Sequence, residues 1–580
     1  MKKNLLIFLP SALLLTTVMA FKLAGGYKTK AHVNNLRAAI FAAKRVSFGC
    51  SPYAAYEDIP ADIPPLPGWG NYRWKITTSS DSAQFYFNQG INMYYGFHMI
   101  ESIASFEKAS KFDSSSAMVW YGRALSLGPT INDDATAPPP VSAWECAAKS
   151  KTLSSSCTPF EKDLIEAMQK RYSPDSSANI SALKQHYTHA MKMLSEKYPS
   201  NADAITLYAD ALMLQHPWDL YDNKLKPKPW TPVIVNVLQH ALAVNPVNPG
   251  ANHYYIHALE GSEHPEQALH AAETLGTLMP GVSHVTHMPS HIYIRTGNYQ
   301  KGITVNDSAV AGFNNYLALY SPVINNIGLY KLHNEHLKAT CAQMAGNYNI
   351  AMQTAKALQD DIPAEYLTVP GLANYVQYVY ETGILTQVRF GKWDDVLKQA
   401  VVDTLPYASQ IIHFARGIAF SRKHQFEEAE KELVIFKQGI SNPLLKASAG
   451  AFSTAYTVCN VAQNIMEGVL AEERGQYPQA IAALQKAVIA EDDIIYNEPR
   501  DWPLAARQYL GNVLLKTKAY AQAAEVFNRE LAINPNNGWS LTGLLLSYKE
   551  LHKDADVEKT QKRLKSAFTL RDTDVEGAVF

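Results

Sequence analysis

Gly297-Asn298-Tyr299, with Gly302 three residues further on, recurs as Gly346-Asn347-Tyr348 with Ala351 and as Gly475-Gln476-Tyr477 with Ala480. Looser copies are Gly391-Lys392-Trp393, His424-Gln425-Phe426 with Ala429, and Lys518-Ala519-Tyr520 with Ala523. Glycine ends a helix in the left-handed conformation, where its missing Cβ removes the steric cost. The aromatic then caps the joint, and the small residue one turn later lets the next helix approach closely. From about Asp81 onward the apolar pattern is helical almost throughout, and alternating strand patterns are nearly absent.

The spacing of these joints makes the pattern specific. Pro246 and Pro280 lie 34 residues apart, as do Pro265 and Tyr299. Tyr520 precedes Pro535 by 15 residues, as Pro265 precedes Pro280. A helix-turn-helix period of 34 is the mark of the tetratricopeptide repeat (TPR), and the chain resembles that family over 81–135 and 246–555. Ser105-Phe106 through Trp120 and Ala124 resembles one further unit. Tyr299 to Tyr348 spans 49 residues and Tyr348 to Trp393 spans 45, so longer helices or inserts are expected there. The strings Asn252-His253-Tyr254-Tyr255-Ile256-His257-Ala258-Leu259-Glu260, His287-Met288-Pro289-Ser290-His291-Ile292-Tyr293, Tyr496-Asn497-Glu498-Pro499 and Asn536-Asn537-Gly538-Trp539 resemble a group of exported bacterial TPR proteins. The resemblance implies an all-α, TPR-like helix-turn-helix solenoid with irregular repeat lengths.

The organisation expected is a signal peptide over 1–20, a Pro-rich extension over 21–80 that packs along or precedes the solenoid, and a first TPR-like unit over 81–135. An irregular helical segment over 136–245, His-rich TPR units over 246–350 and C-terminal TPR-like units over 351–580 follow. Lys2 and Lys3, the apolar run Leu5 to Phe21 and Ala20 at its end fit an export signal. The protein is therefore expected in the periplasm or secreted, with an uncleaved membrane anchor as the alternative. Net charge is −1, which argues against a nucleic-acid partner held by bulk positive charge. Five cysteines in 580 residues make no disulfide framework. Cys146 and Cys157 flank a Ser-rich segment and could pair in an oxidising compartment. Cys341 and Cys459 fit as small buried hydrophobes, and Cys50 is a poor match to a lipid-attachment motif.

Nine of the 18 histidines fall between His253 and His336. Counted back from the aromatic position of each turn, His253, His287 and His336 stand at −12, His257 and His291 at −8, and His284 and His333 at −15. On a helix these offsets lie within about 60° of arc. Neighbouring first helices thus carry matching imidazole stripes. In peptide-binding TPR proteins such offsets line the concave groove, so the resemblance implies one shared groove. Neutral imidazole is the commonest metal ligand. His253, His257, His287 and His291 are candidate ligands for a divalent transition metal (zinc, copper, nickel or iron), with Glu260 adding a carboxylate. His284, His333 and His336 are further ligands or outer-shell donors.

The same residues fit two other chemistries: a polar groove holding a peptide, protein or glycan without metal, and hydrogen bonds between helices. A metal-dependent enzyme with Glu260 as base is a third use of the groove. Serine nucleophile elbows, phosphate-binding glycine loops and zincin motifs are absent from the sequence. His413 with Arg416 fits an anion site or, more simply, a pair satisfying a neighbouring carboxylate. Glu491-Asp492-Asp493 with Glu498 could face the groove. Pro217-Trp218-Asp219 with Tyr221 and Trp230 is an aromatic loop that either packs on the solenoid or closes over a ligand.

Overall fold

The computed structural model describes residues 59–60, 62–132, 139–175, 177–447 and 452–580. The expected signal segment and Cys50 lie outside them. Among the described residues the regular elements are all helical, apart from one isolated bridge between Tyr221 and Pro227. No helix among them is long and apolar enough to cross a membrane. The chain is an all-α, TPR-like solenoid: consecutive helices pair as antiparallel hairpins, and each hairpin stacks on the next.

The joints follow the chemistry of the repeated turn. Gly297, Gly346, Gly391 and Gly475 all have φ between 66° and 74°. At the two degenerate turns His424 and Lys518 adopt the same left-handed conformation, at φ 57° and 61°. The small residues sit where contact is tightest. Ala351 and Ala480 are fully buried, and a Cβ on Gly302 would meet Cys341 Sγ at 2.6 Å. The long interval before Tyr348 is filled by an extended helix, Tyr299–Leu319, then a 3-10 turn, Ser321–Asn326, and a π turn, Gly328–Leu332. The 136–245 stretch holds the helices Val141–Leu153, Pro159–Met168, Ile180–Lys197, Ala202–Met213 and Thr231–Val244.

Residues 62–80 run along the solenoid, burying Ile63, Leu66, Trp69, Trp74 and Ile76. Gly281 N–H donates to Gly68 O at 2.9 Å, and Tyr316 OH donates to Pro67 O at 3.0 Å. Cys146 and Cys157 are both buried and unpaired, so the possible disulfide does not form. Burial pushes the Cys157 thiol up to about 11.

The superhelix then closes on itself. Arg295 Nη1 donates to Ile533 O and Tyr299 OH to Pro535 O, while Gly297 approaches Pro535 too closely to carry a side chain. Trp539 Nε1 donates to Gln343 O at 3.0 Å, and Asp572 accepts from the backbone N–H groups of Tyr348 and Asn349. Phe390, Trp539 and Phe568 form a separate apolar cluster at this seam. Burying three such rings stabilises the closure by several kcal/mol at about 25 cal/mol per Å². The C-terminal repeats thus pack against the joints of the histidine repeats.

Candidate metal centre

Three helical segments carry the histidines. Pro249–Glu260 begins with Asn248 accepting from Ala251 N–H and with Pro249 preset for the first helical position. Asp203 Oδ1 accepts from Tyr72 OH, Tyr95 OH and Asn248 Nδ2, which ties this helix to the end of Asp81–Tyr95. The second segment is Ser283–His287 continued by Pro289–Thr296, interrupted where Pro289 lacks an N–H. The third, His333–Met344, emerges directly from the π turn. Single π turns of this kind recur at functional sites.

The seven histidines do not line an open groove, as the repeat offsets implied. Their side chains are buried, from 0% exposed at His253, His287 and His291 to 9% at His333. Nor do four of them form one set. His253, His257 and His284 make one three-imidazole group, His287, His291 and His333 make a second, and His257 and His291 meet Glu260 and Glu498 in a third that joins the two. His336 joins none of them: its ring packs edge-on against Tyr378 at 5.3 Å, and its Nδ1 has no partner. Cys341 lies apart, in the apolar cluster of Tyr299 and Ile303.

Hydrogen bonds settle which ring nitrogens carry protons. His253 Nδ1 faces Tyr95 O at 2.6 Å, and His257 Nδ1 faces Glu260 Oε1 at 2.7 Å. His291 Nδ1 faces Glu260 Oε2 at 2.6 Å and also meets Glu498. His287 Nδ1 faces Asn306 Oδ1 at 3.3 Å, with the amide fixed by Asn306 Nδ2 donating to Gly302 O at 2.8 Å. Carbonyls and carboxylates only accept, so each Nδ1 is the donor. Each Nε2 is then a bare lone pair. Yet His253 Nε2 lies 3.1 Å from His257 Nε2, and His287 Nε2 lies 2.8 Å from His291 Nε2. Two lone pairs at this distance repel unless a cation lies between them. Beside the first pair, His284 is buried with both ring nitrogens unpartnered.

At the His253/His257 pair protons do not supply that cation, since both rings are held toward the neutral form. Burial, reinforced by neighbouring imidazoles, holds His253, His284, His287 and His333 well below the usual histidine range. Burial also lowers His257, against the pull of Glu260. Burial alone would raise the Glu260 carboxyl, but His291 and His257 beside it hold it down near 2. His253, His257, His284, His287 and His333 are thus held toward the neutral form beside one carboxylate. Glu260 accepts from His257 and His291 and so orients both rings, it also accepts from Tyr496 OH at 3.2 Å, and it stands with His257, His291 and Glu498 as a candidate ligand.

Aromatic rings close the site. Phe97 packs on His253, His257 and His284 at 4.5, 5.8 and 5.7 Å, and Trp218 stands edge-on to His257 at 5.3 Å. Both hold a left-handed backbone, φ 56° and 59°, which costs roughly 1–2 kcal/mol for a non-glycine residue. Phe97 takes it at the end of Asp81–Tyr95, as His424 and Lys518 do at their joints, and its ring and that of Trp218 meet over His257. The rest of the aromatic loop packs: Tyr221 OH donates to Ala258 O, and Trp230 stacks on His216.

Sequence reasoning did not place Phe97, Tyr95 or Asn306 at the site. Glu498 was read as part of an acidic run and of the Tyr496-Asn497-Glu498-Pro499 string, not as a partner of the histidines. That run divides: Glu491 accepts from Ala506 N–H, Asp492 pairs with Arg507, and Glu498 reaches His291. Asn306 alone had a signal within reach, since it follows the Gly302 joint by one helical turn. His413 and Arg416 bind no exposed anion; both pair with Glu432.

No family model matches this chain, and no curated protein matches it. Among solved structures, similar chains include the human IFIT1 dimer with m7Gppp-AAAA, at 12% identity and TM-score 0.29, covering 86% of this chain and 92% of that one. Yeast Tom70 is 14% identical with TM-score 0.30, covering 85% and 93%. The Cut9 complex with Hcn1 is 13% identical with TM-score 0.25, covering 84% and 74%.

Proposed function

We propose that this protein is a transition-metal-binding solenoid that holds its metal in the buried histidine cluster. The observation that carries this reading is the pairing of bare Nε2 atoms, 3.1 Å apart in His253/His257 and 2.8 Å apart in His287/His291. Two nitrogens on one ion at bond lengths of about 2.0–2.1 Å lie roughly 3 Å apart. The imidazole set, without thiolate, suits zinc, copper or iron. A metal bound there would act as a Lewis acid or redox centre. The residues of the chain hold His253, His257, His284, His287 and His333 toward the neutral form, orient the rings through Glu260, Tyr95 O and Asn306, and exclude water with Phe97 and Trp218. The N-terminal segment supports export as the setting. Burial of the imidazoles favours this reading over a peptide or glycan groove, because a chain-like ligand cannot reach them without opening the closure.

The test is elemental analysis of the full chain, purified untagged and without chelator, beside the His257→Ala/His291→Ala double variant. Metal near whole-number stoichiometry is expected in the parent and its loss in the variant. Metal-free parent protein that takes up no copper, zinc or iron on titration would sink the reading.

A further inference from the structure

We infer that the cluster is a binuclear centre: one ion on His253, His257 and His284, a second on His287, His291 and His333, the two ions being near neighbours. The inference rests on the metal-binding reading above and deepens it. Each trio brings one ligand nitrogen per ring together, all within 4.8 Å of one another. Each is built alike, from an i, i+4 pair with Nε2 atoms in contact and one imidazole from an adjoining segment. The pairs come from Pro249–Glu260 and from the segment running through Pro289–Thr296.

Three features join the trios. The middle segment supplies both, because His284 and His287 are one turn apart with rings 5.3 Å between centroids, yet belong to different sets. His257 and His291, one from each set, have rings 5.8 Å apart. Glu260 gives one oxygen to each of these two: Oε1 to His257 and Oε2 to His291. A single carboxylate therefore fixes the donor geometry of both sets, and a change of charge at one is felt at the other through it. With three protein nitrogens apiece, each ion keeps a free position, the condition for a small anion to bridge them. The occupants that fit are late transition-metal ions, copper or zinc, which imidazole prefers.

The experiment titrates the metal-free full chain with copper(II) and, separately, zinc(II), counts ions by native mass spectrometry, and records the spin of the copper form. Two ions per chain are expected for each metal. The copper form should show either the half-field signal of an interacting pair or loss of spin. His284→Gln and His333→Gln should each reduce binding to one ion per chain, with the spectrum of an isolated copper(II). One ion per parent chain would overturn the binuclear inference while leaving the metal-binding reading intact. Two ions with full, isolated spin would overturn it equally. No bound copper or zinc would remove both. Should a single variant unfold, the count and spin of the parent decide alone.

Discussion

Around Glu432 and Glu472 the C-terminal repeats bury charge in matched sets; between Pro249 and Met344 the solenoid buries like groups against like. His413 and Arg416 share Glu432. Arg422 meets Glu472 and Glu473, and Glu472 also accepts from Asn512 and pairs with Lys516. The Glu432 set pairs opposite charges directly, and the Glu472 set does so with Arg422 Nε and Nη2 left over; both hold neighbouring hairpins in register. The histidine repeats use the same scaffold, but their Nε2 atoms are turned toward one another and His284 has no partner at all. Buried polar groups in proteins are nearly always satisfied. A set of paired opposite charges therefore reads as structure, and a set completed only by a cation reads as a site.

That contrast can be broken first by pH. For His253, His257, His284, His287 and His333 the folded values lie below the ordinary 6.5. Below pH 6.5 the unfolded chain binds protons that the folded one refuses, so stability falls as pH falls. The limit is about 1.4 kcal/mol per pH unit for each imidazole. In the C-terminal half, burial pushes Glu491 up to about 8 and Asp501 to about 7. These carboxyls act oppositely: their contribution is full below the unfolded values near 4 and is lost as pH rises toward 7–8. Glu335, raised by burial to about 8, is one opposing group within the histidine repeats. Segment-resolved hydrogen exchange on metal-free protein, corrected for intrinsic rates, should show 249–344 opening between pH 6.5 and 5 while 477–516 does not. Uniform loosening would erase the distinction.

Glu472→Ala comes next. It strands Arg422 on Glu473 alone and removes the acceptor of Asn512 and Lys516, at a cost of about 3–5 kcal/mol. Denaturant melts should show that cost equally with and without metal, and metal content should not move. Glu260→Ala should cost less in metal-free protein, roughly 1–3 kcal/mol for the donors left unpaired. It should weaken metal binding about 10–100-fold. Competition titration checks it; unchanged affinity would leave Glu260 a purely structural acceptor. The smallest effect belongs to His336→Leu. His336 packs on Tyr378 outside both trios, so the change should cost less than about 1.5 kcal/mol and leave the number of bound ions unchanged.

Much of the scaffold was legible because its signals are local. A glycine before an aromatic predicts a left-handed helix end, and Gly297, Gly346 and Gly475 adopt it. The stripe of His253, His257, His284, His287, His291 and His333 was legible for a similar reason, since helical period alone puts spaced residues on one face. Its partition was not. The offsets group His284 with His287 and His291, whereas the packing of Phe97 and Pro249–Glu260 brings His284 to His253 and His257. Phe97 left no trace either, and Trp218 only as part of an aromatic loop, because a positive φ on a bulky residue is imposed by its surroundings.

The sequence by itself determined the helical hairpins, their joints and the concentration of imidazole on one face, since each depends on residues within a turn or two of one another. Only the tertiary structure decided that this face is interior. The contacts that close it, Arg295 with Ile533, Trp539 with Gln343 and Tyr496 with Glu260, join residues about 200 or more positions apart. Their pairing depends on the summed curvature of every hairpin between them. The protonation of the site follows from the same closure, because excluding water holds His253, His257, His284, His287 and His333 toward the neutral form.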